Sequence, residues 1–173
     1  RLAKTESPSL WSTLDDEQLF MAVLMSYPLG LGPAATVSTA VPDMAVFRGS
    51  YGGKDIFPMY RDDRGTPNAD PRLLEAIEAV HSGINPEASP VTVERLFGYI
   101  YGLLAGADYT ERFQSELSTP GPRVPLTADP DLFAEVGESG AHLLWLHTYG
   151  ERFKSHGSSR GIPIPKGLKW LDP

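Results

Sequence analysis

The chain has 173 residues, enough for one domain with a sizeable core or for a domain with an arm. Its hydrophobic share of 41% is that of a globular protein, and no apolar run approaches the roughly 18–20 residues that a membrane-spanning helix needs. With no cysteine and four histidines it has no disulfide framework, no thiol nucleophile and no zinc-ligand spacing, and its net charge of −7 sets it apart from a simple basic nucleic-acid binder.

The first element lies in residues 15–27, where Asp15, Asp16 and Glu17 precede the run Leu19-Phe20-Met21-Ala22-Val23-Leu24. Acids in a first turn suit a helix, with Thr13 or Asp15 as cap, but the run from Phe20 to Leu24 is also short enough for a buried strand. Pro28-Leu29-Gly30-Leu31-Gly32-Pro33 ends whichever it is. Small and β-branched residues from Ala35 to Val41 predict a strand, and Met44–Arg48 a second. Gly49–Asp55 reads as a hairpin loop, and Ile56-Phe57-Pro58-Met59-Tyr60 as a strand that Pro58 demotes to an edge or a bulge. Arg61–Asn68 is a polar turn.

The second half predicts helices. One runs over 71–80 with Asp70 as N-cap and Pro71 at its first position. Another runs over 92–104, capped by Thr92, with a wide apolar face at Val93, Leu96, Phe97, Ile100, Leu103 and Leu104. A short helix fits 108–117, opened by Asp108, and a longer one runs from Asp129 to about His147. The tail 154–173 is rich in Gly, Pro and Ser and predicts an extended segment packed at its apolar points. The fold class expected is α+β, with a small β-sheet region at about 34–60 packed on a mostly helical second half. The organisation expected is a domain over 1–153, β-containing to 68 and helical from 69, followed by the tail.

Charge is unevenly placed. Residues 65–147 carry four basic and twelve acidic groups, whereas 48–64 carry four basic and three acidic, and 148–173 five and two. The basic residues Arg48, Lys54, Arg61, Arg64, Arg123, Lys154, Arg160, Lys166 and Lys169 fall on predicted loops. Arginine suits bidentate contact with guanine, and either cation suits phosphate, so these loops are candidate DNA contacts. No catalytic constellation is visible. Gly52-Gly53-Lys54 lacks the spacing of a phosphate loop, and no strand–glycine turn–helix unit offers a site for a methyl donor. His142 and His147 are five residues apart, about 140° around a helix axis, which does not bring both to one face.

Four stretches resemble one known family. Ile56-Phe57-Pro58-Met59-Tyr60-Arg61 with Gly65-Thr66-Pro67-Asn68 is similar to a Pro-Leu-Tyr…Thr-Pro-Asn segment of the C-terminal specificity domain of type ISP restriction–modification enzymes. Phe97–Leu104 with Tyr109–Phe113 resembles that family's next helix pair, Pro122-Arg123-Val124-Pro125-Leu126 its Pro-Arg-Ile-Pro-Leu segment, and Asp131-Leu132-Phe133 with Gly140–His147 its last helix. Met59 stands for the usual Leu, and Ala105-Gly106-Ala107-Asp108 for the usual His-Ser-Pro-Ala. The order and spacing agree over about 56–150, and more loosely over 34–55.

The resemblance implies that the chain selects a double-stranded DNA sequence for a parent adenine-N6 methyltransferase, with or without a nuclease and a helicase-like motor. Related domains also occur on stand-alone methyltransferases of phage defence. S-adenosylmethionine would bind upstream in the parent, so this chain is expected to hold no cofactor, no metal and no catalytic residue. A chain that starts at Arg1 without a methionine or a signal-peptide core fits a piece of such a cytoplasmic protein. Arg123 matches the motif and is a candidate DNA-facing residue on a backbone stiffened by its neighbouring prolines. Tyr99 and Tyr101 also match, but on an apolar helix face they read as core. Two other readings remain at this stage: a scaffold whose helical half docks on the methyltransferase or a partner subunit, and a hydrolase using His147 with Asp129 or Glu135.

Overall fold

The computed structural model describes residues 8–24, 30–42, 46 and 55–156. After a helical turn, α1 (Pro8–Trp11), three strands form an antiparallel sheet: β1 (Phe20–Val23), β2 (Ala35–Ser38) and β3 (Asp55–Pro58). The strand order is β2-β1-β3, with Phe20 opposite both Ser38 and Pro58 and Val23 opposite both Ala35 and Asp55.

The central strand is thus the segment whose periodicity fits helix and strand alike. All four of its residues are buried, and a strand covered on both faces shows no alternation. The acids before it do not open a helix. The Asp15 carboxylate accepts the backbone N–H groups of Glu17 and Gln18, which makes a tight turn that delivers the chain into β1. Pro58 ends β3, at one end of the described sheet, where its missing N–H costs no ladder bond. The strand expected over Met44–Arg48 and the loop over Gly49–Asp55 lie outside the described residues, apart from Val46 and Asp55.

Three helices start where their caps predict. Helix α2 (Pro71–Ile84) follows Asp70, whose side chain accepts the Arg72 N–H. Helix α3 (Val93–Leu104) follows Thr92, which accepts the Arg95 N–H. Helix α5 (Pro130–His147) follows Asp129, which accepts from Asp131 and Leu132. The helix expected over 108–117 is instead α4 (Ala107–Arg112) followed by a 3-10 turn at Glu116–Ser118. Asp108 lies inside its first turn, and the cap position is Gly106, which makes no side-chain capping bond. The Thr110 hydroxyl lies 2.6 Å from the Gly32 carbonyl and 2.9 Å from the Ala107 carbonyl, so a side chain in the middle of α4 is spent on tethering it to the loop before β2. The segment expected to be extended from 154 begins instead with a 3-10 turn, Lys154–His156, and the rest of it lies outside the described residues.

Helix α3 is the centre of the packing. Phe97, Tyr101 and Leu104 join Met21 and Val23 of β1 and Leu144 of α5 in one cluster, while Leu96 and Tyr99 join Ile77 of α2 and Phe133 of α5 in a second. Burying a side chain such as Leu144 contributes about 2 kcal/mol. The contact between α3 and α5 runs through glycines. A Cβ built on Gly140 would clash with the Gly98 carbonyl oxygen, and one on Gly102 would stand 2.7 Å from that of Val136. The two backbones touch, and only residues without a Cβ permit it.

Candidate functional site

The turn that carries Arg61 and Arg64 is closed by its own residues and fastened to the body by a glutamine. Gln18 is fully buried. Its Nε2 donates to the carbonyls of Thr13 and Tyr60, and its Oε1 accepts the N–H groups of Tyr60 and Leu19. A strand neighbour would grip Tyr60 at the same two backbone atoms. Beyond that grip, the Arg61 N–H donates to the Thr66 carbonyl and the Asn68 side chain to the Pro58 carbonyl. Asp62 accepts from the backbone of Arg64 and Thr66. Hydrogen bonds from Thr66, then the backbone N–H and charge of Arg64, hold the Asp62 carboxyl below its usual range. Gly65, at φ 74°, supplies the left-handed residue. The Pro-Met-Tyr and Thr-Pro-Asn stretches are therefore the two sides of one loop.

The segment carrying Arg123 hangs on aromatic side chains from three helices. The Tyr109 hydroxyl of α4 donates to the Arg123 carbonyl at 2.6 Å and accepts the Arg123 N–H at 3.0 Å. The Tyr99 hydroxyl of α3 donates to the Pro125 carbonyl at 2.8 Å, and His81 Nε2 of α2 lies 3.1 Å from the Thr127 carbonyl. Three alternate carbonyls of an extended segment thus face the body. Tyr99 stacks on Phe133, and His81 packs against the same ring. Burial raises the phenol pKa of Tyr99 and of Tyr109, so both keep the proton that these bonds use.

The turn and the segment flank one apolar cleft of about 210 Å³, lined by Pro58, Met59 and Asn68 on one side, Pro122 and Val124 on the other, and α3 residues such as Phe97 and Ile100. Arg123 itself lines a neighbouring cleft with Tyr109, Phe113, Glu116 and Pro125, so it and the Arg61–Arg64 turn do not share one depression. Arg48, Lys54, Arg160, Lys166 and Lys169 lie outside the described residues. Lys154 is exposed and lines a separate cleft with Glu17, Glu94 and Glu151, an acidic setting.

The described cations sort by whether their head groups are engaged. Arg72 pairs with Asp70 at 2.7 Å, Arg95 donates to the Pro90 carbonyl, and Arg112 lies over the Phe113 ring. Arg152 donates to the carbonyls of Gln18 and Asp15, which pins the turn before β1. The Arg61 Nε donates to the Pro67 carbonyl. Among the described residues, Arg64 and Arg123 are exposed and make no side-chain hydrogen bond or ion pair.

Tyr99 and Tyr101 are buried, as their helix face implies. Their hydroxyls do more than fill space, because a buried tyrosine must place its O–H on a partner. Tyr109 and His81 carry the same kind of role, with no pattern in the sequence to announce their partners. His147 makes its contact with Tyr101, Nδ1 to hydroxyl, at 2.6 Å. Asp129 stands at the far end of α5, about 27 Å along the helix axis, and Glu135 about 18 Å, so neither can serve His147 as an acid. Among the described residues no helix is long and apolar enough to cross a membrane.

Against known proteins, the family model of the type ISP C-terminal specificity domain matches residues 1–169. No curated protein and no solved structure is detectably similar.

Proposed function

Since the chain belongs to the type ISP C-terminal specificity domains, which serve target recognition in restriction–modification, we propose that it reads the sequence of double-stranded DNA for an adenine-N6 methyltransferase carried on the same polypeptide. The reaction and S-adenosylmethionine belong to that other part, in a restriction enzyme or a phage-defence methyltransferase. The supporting observation is the presentation of Arg123. Its backbone is gripped at both N–H and C=O by Tyr109, while its guanidinium has no hydrogen bond or ion pair among the described residues. A head group free to make two parallel bonds, on a backbone held at both its polar atoms, is what guanine readout in the major groove requires.

Arg61 and Arg64, on the turn, suit phosphate contacts that fix register, as do Arg48, Lys54, Lys166 and Lys169. The acidic body is compatible with this division, because base contacts depend little on net charge and the parent's other domains add phosphate contacts. The test is duplex binding at several salt concentrations. Arg61→Ala with Arg64→Ala should weaken binding to all duplexes and flatten the salt dependence by about two charges. Arg123→Ala should leave the salt dependence nearly unchanged. If both variants bind every duplex as the unaltered protein does, the reading fails.

A docking role has its own support in α2. Leu73, Val80 and Ile84 are exposed on it and lie on one helical face at spacings of seven and four. We read that stripe as the side presented to the rest of the parent. Replacing the three by Gln, Thr and Gln should abolish its assembly with the parent's methyltransferase part and leave duplex binding by this chain intact.

A further inference from the structure

Helix α5 ends on a tyrosine where helices usually place glycine. Past His147, the Tyr149 N–H donates to the Leu146 carbonyl at 3.1 Å and the Gly150 N–H to the Trp145 carbonyl at 2.8 Å. These are the paired bonds of a Schellman ending, which needs a left-handed residue at the position of Tyr149. Tyr149 adopts it, at φ 55°. A side chain there carries a steric penalty that glycine escapes. Packing recovers none of it, because Tyr149 is 86% exposed and its hydroxyl makes no hydrogen bond among the described residues. Among the described residues nothing in the fold gains from this ring.

The ring borders a cleft of about 560 Å³ lined also by Thr36 and Val37 of β2, Tyr101 of α3, and Leu146 and His147 of α5. Among the described residues no carboxylate lines it. The Tyr101 hydroxyl lies 2.6 Å from His147 Nδ1, and burial raises the pKa of that phenol, so it has a proton to give. When it donates to Nδ1, the neutral imidazole keeps its own proton on Nε2. The exposed His147 then brings an N–H donor to the cleft beside an exposed aromatic face.

We propose that this cleft receives a single nucleobase displaced from the duplex stack, Tyr149 stacking on its face and the His147 Nε2–H donating to a ring nitrogen or carbonyl on its edge. The inference rests on the DNA-recognition reading above and adds a second contact to it, away from the Arg123 cleft. Every base offers a π-face and an edge acceptor, and none of the described lining residues is a carboxylate that would repel the attached phosphates.

The test uses a duplex with 2-aminopurine in a one-base bulge and the same duplex fully paired. The unaltered protein should quench the bulged 2-aminopurine on binding. Tyr149→Gly, which relieves the backbone, should melt no lower than the unaltered protein yet lose the quenching and bind the bulged duplex about tenfold more weakly, with paired-duplex binding unchanged. Tyr149→Trp should retain both signals. Tyr149→Gly with full quenching and affinity, while paired-duplex binding stands, overturns this inference alone. A changed oligomeric state of Tyr149→Gly with unchanged bulge binding also overturns it, and marks the face as a protein contact. Failure of the unaltered protein to bind either duplex overturns the recognition reading and this inference with it.

Discussion

The turn over 59–68 and the segment over 121–129 each hang on one side chain that grips a single residue's backbone at both its N–H and its C=O. At Tyr60 the grip is the amide of Gln18, which uses one atom to donate and another to accept and is itself fully buried. At Arg123 it is the Tyr109 hydroxyl, where one oxygen does both. The turn then adds bonds of its own, and the Arg61 Nε–H is spent on closing it, which leaves the terminal N–H groups of that guanidinium for a phosphate. The segment adds none that involve the Arg123 side chain; Tyr99 and His81 hold further carbonyls instead. A cation that gives part of its head group to the loop keeps the rest for a partner, whereas a cation fixed through its backbone keeps all of it. That difference gives Arg61 and Arg123 different work although a sequence shows both simply as arginines on loops.

The comparison can be broken at its base, at either grip, or at a supporting contact. The largest effect is expected at the base. Gly140→Ala would force α3 and α5 apart, because its Cβ meets the Gly98 backbone, and should cost upwards of about 3 kcal/mol in chemical denaturation. Since α3 carries Tyr99, the 121–129 segment should loosen as well. Gly83→Ala is the matching control: nothing lies within 4 Å of that Cβ, and helix propensity should stabilise it by about 0.5–1 kcal/mol.

Next comes Gln18→Leu, which leaves the Tyr60 N–H and the carbonyls of Tyr60 and Thr13 without their partner. A loss on the order of 3 kcal/mol is expected, with amide exchange accelerated over 60–68 and not over 121–129. Tyr109→Phe should do the reverse on a smaller scale, about 1–2 kcal/mol, with faster exchange at Arg123 and an unchanged turn.

The smallest effect concerns Tyr60, whose hydroxyl donates to Glu94. Burial works against the charged Glu94 carboxylate, but hydrogen bonds from Thr92 and Tyr60 outweigh it and hold its pKa below the usual range. A carboxyl depressed on folding stabilises above its unfolded pKa, and that contribution is lost as the pH falls through the folded value. Glu94→Gln should therefore lower stability near neutrality by under about 1 kcal/mol, and the difference should vanish in acid.

The parts of the fold legible in the sequence are those fixed by neighbours. Asp70-Pro71, Thr92 and Asp129-Pro130 announce their helices because cap and first turn lie within three residues of each other. Strand β1 is ambiguous because burial on both faces erases its period. Asp15 misleads because a carboxylate that accepts two N–H groups ahead serves a turn as well as a helix start. The candidate site is legible as chemistry and illegible as arrangement. Arg61, Arg64 and Arg123 can be nominated from residue type and loop position, but Gln18 lies 42 residues from Tyr60, and Tyr99 lies 26 from Pro125. Polar partners at such distances leave no periodic trace.

The most direct test of the account is selection from a pool of random duplexes by the unaltered chain, by Arg123→Ala and by the pair Arg61→Ala with Arg64→Ala. The account predicts that the unaltered chain enriches a defined motif containing a G·C pair, that Arg123→Ala loses the preference at that pair alone, and that the double variant recovers less DNA with the motif intact. A motif unchanged by Arg123→Ala, or no enrichment by the unaltered chain, would contradict it.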